Sequence, residues 1–208
     1  MRNTQSRALV AYWLELLGTA SIGRGRDSRR RWPDRGQVEP SECRELLGDV
    51  FVLEILDGEA RYRLAGSRLC GLYGREVRGT GFPEPFGPGD RDAAHNWAMR
   101  IGHDDACAVL SSTGVTAKGE TVPLETLLLP LAHDGRRGLR TLGLTVPLKR
   151  PFWLGEDPIV LQRDVSGRAF QPWLEREHEP IAVSAPPIMT PEPGRPALRV
   201  IEGGLSRA

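Results

Sequence analysis

Three groups of residues in this chain have types and spacing that could support chemistry. His103-Asp104-Asp105 sets an imidazole beside two carboxylates, the makings of a metal site or a tuned acid-base pair. No second histidine stands at ligand spacing, and the run falls where a helix should give way to a strand, so it reads as a solvated turn. Between Arg24 and Arg31 the stretch Gly23-Arg-Gly-Arg-Asp-Ser-Arg-Arg-Arg holds five Arg and one Asp in nine residues, with Trp32 next to it. Guanidinium groups grip phosphates and an indole stacks on a base, so nucleic acid or an acidic partner is one reading. Without a recognition helix or an RNA-binding signature, the segment reads first as an exposed linker. Cys43, Cys70 and Cys107 are odd in number, far apart and free of any C-x-x-C pair, which argues against a disulfide framework or a zinc site. Cys70, between Leu69 and Leu72, reads as a small buried apolar residue.

The motifs of the common catalytic classes are missing. There is no G-x-S-x-G elbow, no G-x-x-x-x-G-K-[ST] loop and no H-E-x-x-H, and Gly79-Thr80-Gly81 lacks the third glycine of a dinucleotide fingerprint. The expectation is a non-enzymatic protein with no catalytic and no metal-binding residues. Pro193-Gly-Arg-Pro196 has P-x-x-P spacing, but a single basic residue and a proline-rich background make it a product of composition.

The elements that must position these groups follow from periodicity. Residues 8–17 carry Leu9, Tyr12, Trp13, Leu16 and Leu17 on one helical face, with Gly18 as the stop and an apolar stripe suited to a homodimer contact. Pro40 opens a short helix over 41–47. Residues 50–56 form an apolar strand, Asp57-Gly58 a two-residue turn, and 60–65 the returning strand with Tyr62 and Leu64 facing inward. Ser67 caps a helix over 68–73 that Gly74 closes. A second helix over 90–101 sets Ala94, Trp97, Ala98 and Ile101 at i, i+3, i+4 and i+7. Three strands over 106–115, 122–131 and 139–146 complete an antiparallel meander, the last burying one face and showing the other. This divides the chain into a helix with an Arg-rich linker (1–36), a domain (37–150) and a Pro-rich extension (151–208) disordered from about 180.

Composition agrees with that division. Basic and acidic residues number 28 and 27, a net +1, so no whole-molecule field steers the chain to nucleic acid or membrane. The first 35 residues nevertheless hold eight Arg against Glu15, Asp27 and Asp34. Nine of the 17 prolines fall in the last 58 residues, where 152–173 keeps apolar anchors that can dock on the domain. No apolar run reaches the roughly 18 residues of a membrane span, and no signal sequence opens the chain, so a cytoplasmic protein is expected.

The run Tyr62-Arg-Leu-Ala-Gly-Ser-Arg-Leu-Cys-Gly-Leu-Tyr-Gly-Arg-Glu-Val-Arg-Gly79, preceded by Leu46-Leu-Gly-Asp-Val-Phe-Val-Leu-Glu54 and the Tyr12-Trp13 helix, resembles a PAS-type domain family known from alphaproteobacterial proteins. The similarity takes in roughly residues 9–150. It implies an α+β, PAS-like fold: a five-stranded antiparallel sheet with short helices on one face, here with an N-terminal helix and a Pro-rich tail. It also implies a sensory or regulatory module in signal transduction, binding a small ligand or a partner protein. In that fold Tyr62, Leu64, Leu72, Trp97, Ile101, Leu142 and Leu144 would converge between sheet and helices as a ligand pocket. The ligand, and any cofactor, is unknown. Some PAS-like sensors ligate haem through a histidine on the crossing helix, but His95 falls at the edge of that helix's apolar face.

Overall fold

The computed structural model describes residues 1–21, 32–103, 106–134 and 136–173. Its centre is a six-stranded antiparallel sheet. Strand β1 (Val50–Leu56) turns at Asp57-Gly58 into β2 (Glu59–Ala65), and both turn residues are left-handed (φ 51° and 79°), as the tight hairpin requires. Two helices follow, α2 (Ser67–Tyr73) and α3 (Arg91–His103), and the chain returns as β3 (Cys107–Thr116), β4 (Thr121–His133) and β5 (Arg136–Pro147). β5 inserts beside β1, which gives the order β2-β1-β5-β4-β3-β6.

The sixth strand is the first difference from expectation. β6 (Ile159–Phe170) comes from the segment beyond residue 150 and pairs along β3 from Cys107 to Thr116. Without it β3 would present a long unpaired edge beside a buried core. The outer side of β6 is itself partly closed: Gly87 N–H donates to the Gln162 carbonyl at 2.8 Å, and the Asp90 carboxylate accepts from the N–H groups of Asp164 and Val165.

Both faces of the sheet are buried, under two separate apolar clusters. On one face lies α1 (Thr4–Ser21), packing Leu9, Trp13, Leu16 and Leu17 over Leu127, Leu129, Leu142 and Leu144. The stripe expected to serve a dimer is thus covered by the chain's own sheet. Helix α1 runs through Gly18, because burial of Leu16 and Leu17 outweighs the roughly 1 kcal/mol cost of an internal glycine. Its start is pinned by a buried carboxylate, Glu125, which accepts the backbone N–H of Arg2 (2.7 Å) and Asn3 (3.2 Å). Trp32, for which stacking on a base was one reading beside that of an exposed linker, is buried against Trp13 and Trp173 with ring centroids 5.6 and 5.3 Å away.

On the other face α2 and α3 cover Phe51, Leu53, Leu110 and Leu128. The expected helix over 41–47 is a series of i to i+3 turns, with Leu46 buried and Leu47 turned out, since so short a segment gains too little packing to nucleate. Helix α2 starts one residue early: Ser67 is inside it, and the cap is Gly66, which a side chain would drive into the Leu47 and Gly48 carbonyls. Gly74 closes it in the left-handed conformation. β5 does not show a solvent face: Thr141 and Thr145 are buried, and Gly143 lies so close under the Phe51 ring that a Cβ there would sit 2.2 Å from it.

Candidate functional site

The core between the sheet and the α2–α3 face gathers some of the residues expected at a ligand site and not others. Tyr62, Leu72 and Ile101 are buried in it, and Trp97 packs at its margin over Gly167 of β6. Leu142 and Leu144 are on the opposite face, under α1. Leu64 is in neither core and is 42% exposed. The cause is a β-bulge: Tyr62 pairs with Leu53 but Leu64 pairs with Val52, so Arg63 has no partner and the strand's inward set changes face between 62 and 64.

Aromatic rings fill the middle of this core. Phe51, Tyr62, Phe82 and Phe86 form a continuous series with neighbouring centroids 5.3 to 6.0 Å apart. Across this apolar interior runs a line of polar side chains. Ser112 Oγ donates to Gln162 Oε1 at 2.7 Å, and Gln162 Nε2 donates to the Tyr73 hydroxyl at 2.5 Å. The Tyr62 hydroxyl lies next, close enough to Tyr73 to influence its ionisation, yet among the described residues no partner completes a hydrogen bond to it. Each residue is set by a different element: Tyr62 by β2, Tyr73 by the last turn of α2, Ser112 by β3 and Gln162 by β6. Gln162 is fixed on both sides of its backbone, its N–H donating to the Pro85 carbonyl at 2.7 Å.

Burial governs the electrostatics. Desolvation pushes the Tyr62 and Tyr73 hydroxyls far above the ordinary phenol range, and for Tyr62 the neighbouring Tyr73 adds to the rise. Both remain neutral donors and acceptors at any physiological pH. A buried hydroxyl lacking a full partner costs about 1–3 kcal/mol, so such a group is a standing invitation to a hydrogen-bonding ligand atom.

Tyr73, Ser112 and Gln162 were not singled out from the sequence. Tyr73 closes a recognisable helix and Ser112 sits on a recognisable strand, but their inward orientation has no marker in residue type. Gln162 comes from the segment beyond residue 150, whose proline content sets it apart from the domain in the sequence.

The remaining candidates fall elsewhere. His95 is half-buried at the edge of α3, lining an outer cavity of about 320 Å³ with Glu59, Arg61, Glu84 and Arg91. Asp104, Asp105, the segment from Arg24 to Arg31 and Pro193 to Pro196 lie outside the described residues, as does the side chain of His103. Cys43 and Cys107 are buried and Cys70 half-buried, and desolvation raises the pKa of all three thiols, which keeps them protonated. Among the described residues no group of three His, Cys, Asp or Glu is placed to hold a metal ion, and no helix is long and apolar enough to cross a membrane.

Comparison with known proteins adds a family. The family model described as a PAS domain matches residues 1–146. No curated protein matches. Among solved structures, the PAS domain of a protein from Colwellia psychrerythraea is 13% identical, with a TM-score of 0.40, over 51% of this chain and 94% of that one. The PAS domain of an HTR-like protein from Haloarcula marismortui is 19% identical, with a TM-score of 0.37, over 51% and 89%. An RNA-binding light-oxygen-voltage receptor is 16% identical, with a TM-score of 0.39, over 74% of this chain and 52% of that one. At these identities no residue's role passes from those structures to this chain.

Proposed function

The chain belongs to the PAS domain family, whose members are sensory and regulatory modules, and on that premise we propose that it binds a small, largely apolar ligand in a cleft that opens within the core between the sheet and the α2–α3 face. The observation that carries this reading is the buried polar line from Tyr62 through Tyr73 and Gln162 to Ser112, crossing a core otherwise packed with aromatic rings. Ligand sites combine an apolar lining with a few convergent polar groups, and this line supplies both donors and acceptors. The Gln162 amide is the pivot: its carbonyl faces Ser112 and its NH₂ faces Tyr73, so a ligand that replaces either partner changes what holds β6.

The same strand offers a route outward. β6 ends at Phe170, and Trp173 three residues later packs against Trp13 of α1 with centroids 6.0 Å apart. A ligand that binds one setting of Gln162 more tightly than the other would bias the β6–Trp173–α1 contact, which is the differential interaction a population shift needs. The module then signals without catalysing a reaction.

A fragment screen followed by NMR on the full chain tests this. Binders are expected to move the ring resonances of Tyr62 and Tyr73 and the side-chain amide of Gln162, with smaller changes at the Trp13 and Trp173 indoles. Binders that perturb only residues of the outer surface would refute it.

A further inference from the structure

A second cavity, of about 290 Å³, lies on the α1 side of the sheet, where its lining residue Val52 belongs to the apolar cluster under that helix. Its lining is unusual in charge: Arg35, Arg63, Arg78 and Arg140, with His133 beside them and no carboxylate among the lining residues. Arg140 is buried and ion-paired to Glu54 at 2.5 Å, which leaves three guanidiniums to set the character of the opening.

These three arginines come from separate segments, each fixed by backbone bonds rather than left on a free loop. Arg35 belongs to a short 3-10 turn (Arg35–Gln37) capped by Asp34, and the preceding Pro33 carbonyl accepts the Ala132 N–H of β4 at 2.9 Å. Arg78 stands beside Gly79, whose N–H donates to the Tyr62 carbonyl at 2.7 Å, while Glu76 holds the Arg78 N–H at 2.9 Å. Arg63 is the unpaired residue of the β2 bulge, which also turns Leu64 out to form, with Val52, the apolar part of the same cavity. Like charges gathered around a cavity with no carboxylate in its lining are unfavourable in themselves; Glu76, outside the lining, offsets part of the Arg78 charge, and an anion of matching geometry would satisfy the rest. Planar guanidinium forks suit the several oxygens and double charge of a phosphate better than a single carboxylate.

We propose that this cavity binds a phosphate monoester or diphosphate group, with the phosphate on Arg35, Arg63 and Arg78 and a short apolar portion of the ligand on Val52 and Leu64. The site is independent of the cleft, and either assignment stands if the other fails. Bound there, the ligand would tie β2, the segment after α2 and the 3-10 turn at Arg35–Gln37 together.

Calorimetric titration of the full chain at constant ionic strength tests it, with glycerol 3-phosphate and pyrophosphate as soluble probes and vesicles containing phosphatidic acid as the lipid arm. Arg63 and Arg78 are exposed, so the Arg63→Gln/Arg78→Gln variant is expected to keep its fold, checked by circular dichroism. Saturable binding is expected, weakened about tenfold or more for each guanidinium removed and unchanged by Arg163→Gln on β6. Saturable binding of the vesicles alone, with the same dependence on Arg63 and Arg78, supports the site and assigns the phosphate to a lipid headgroup. No saturable binding of any probe, or binding that the double variant retains, overturns it. Binding of a single-stranded oligonucleotide without binding of the small phosphates or the vesicles overturns it as well.

Discussion

Tyr62 and Tyr73 are the residues on which the polar line depends, and their burial makes a pH signature. Their pKa values are raised, so folding favours the neutral phenols. The stability this contributes is complete below the unfolded-chain value near 10 and is lost as pH rises above it, at about 1.4 kcal/mol per pH unit for each buried tyrosine. Urea unfolding from pH 8 to 11.5 is expected to show a loss of stability above pH 10, with a shallower slope for Tyr62→Phe. At neutral pH that substitution removes a hydroxyl without a full partner, so it is expected to leave stability unchanged or to raise it by up to about 3 kcal/mol. A slope identical in wild type and Tyr62→Phe would place the Tyr62 hydroxyl in water instead.

At the scale of elements, the parts that were legible in the sequence are those with a local signal. Asp57-Gly58 announces the hairpin because only a few residue types accept two left-handed positions in succession, and the 3.6-residue spacing of Ala94, Ala98 and Ile101 announces α3. The illegible parts are relational. Leu142 and Leu144 alternate correctly, but alternation does not say which face is which, and a sheet covered on both sides uses both. The bulge at Arg63 displaces Leu64 by one residue of register, with no glycine or proline to mark it. β6 was hidden because its burial is sparse and Asp164, left-handed at φ 58°, interrupts its pattern. Docking of α1 was half legible, its stripe visible and its partner not. The Glu125 carboxylate that receives the start of α1 offers a test of that docking: Glu125→Ala should cost about 1–3 kcal/mol and speed amide exchange in the first turns of α1 before the rest of the molecule. Uniform acceleration across the sheet would mean that α1 is not a separately released element.

For the whole molecule, the family match ends at residue 146 while the sheet continues through Phe170 and the tryptophan cluster closes with Trp173. Trp13, Trp32 and Trp173 bring together the first helix, the segment before the 3-10 turn and the residues that follow β6, all on the face away from the cleft. A chain shortened to end at Arg150 would lose Gln162 from the cleft, Trp173 from the cluster and the cover on β3 at once. It is expected to aggregate or to unfold at much lower urea than the full chain, as light scattering and tryptophan emission would show. A shortened chain that is monomeric and equally stable would mean that β6 is an accessory rather than part of the fold.

In the proposed function a small molecule is held in the cleft through the Tyr62–Tyr73–Gln162–Ser112 line. Native mass spectrometry of the full chain, purified without denaturation and read beside its absorption spectrum, tests it directly. A stoichiometric adduct that disappears on denaturation, and that is absent from a folded Gln162→Leu variant, is the expected result. The bare chain mass for the wild type, with no absorption beyond that of its aromatic residues, or an adduct that Gln162→Leu retains unchanged, would contradict it.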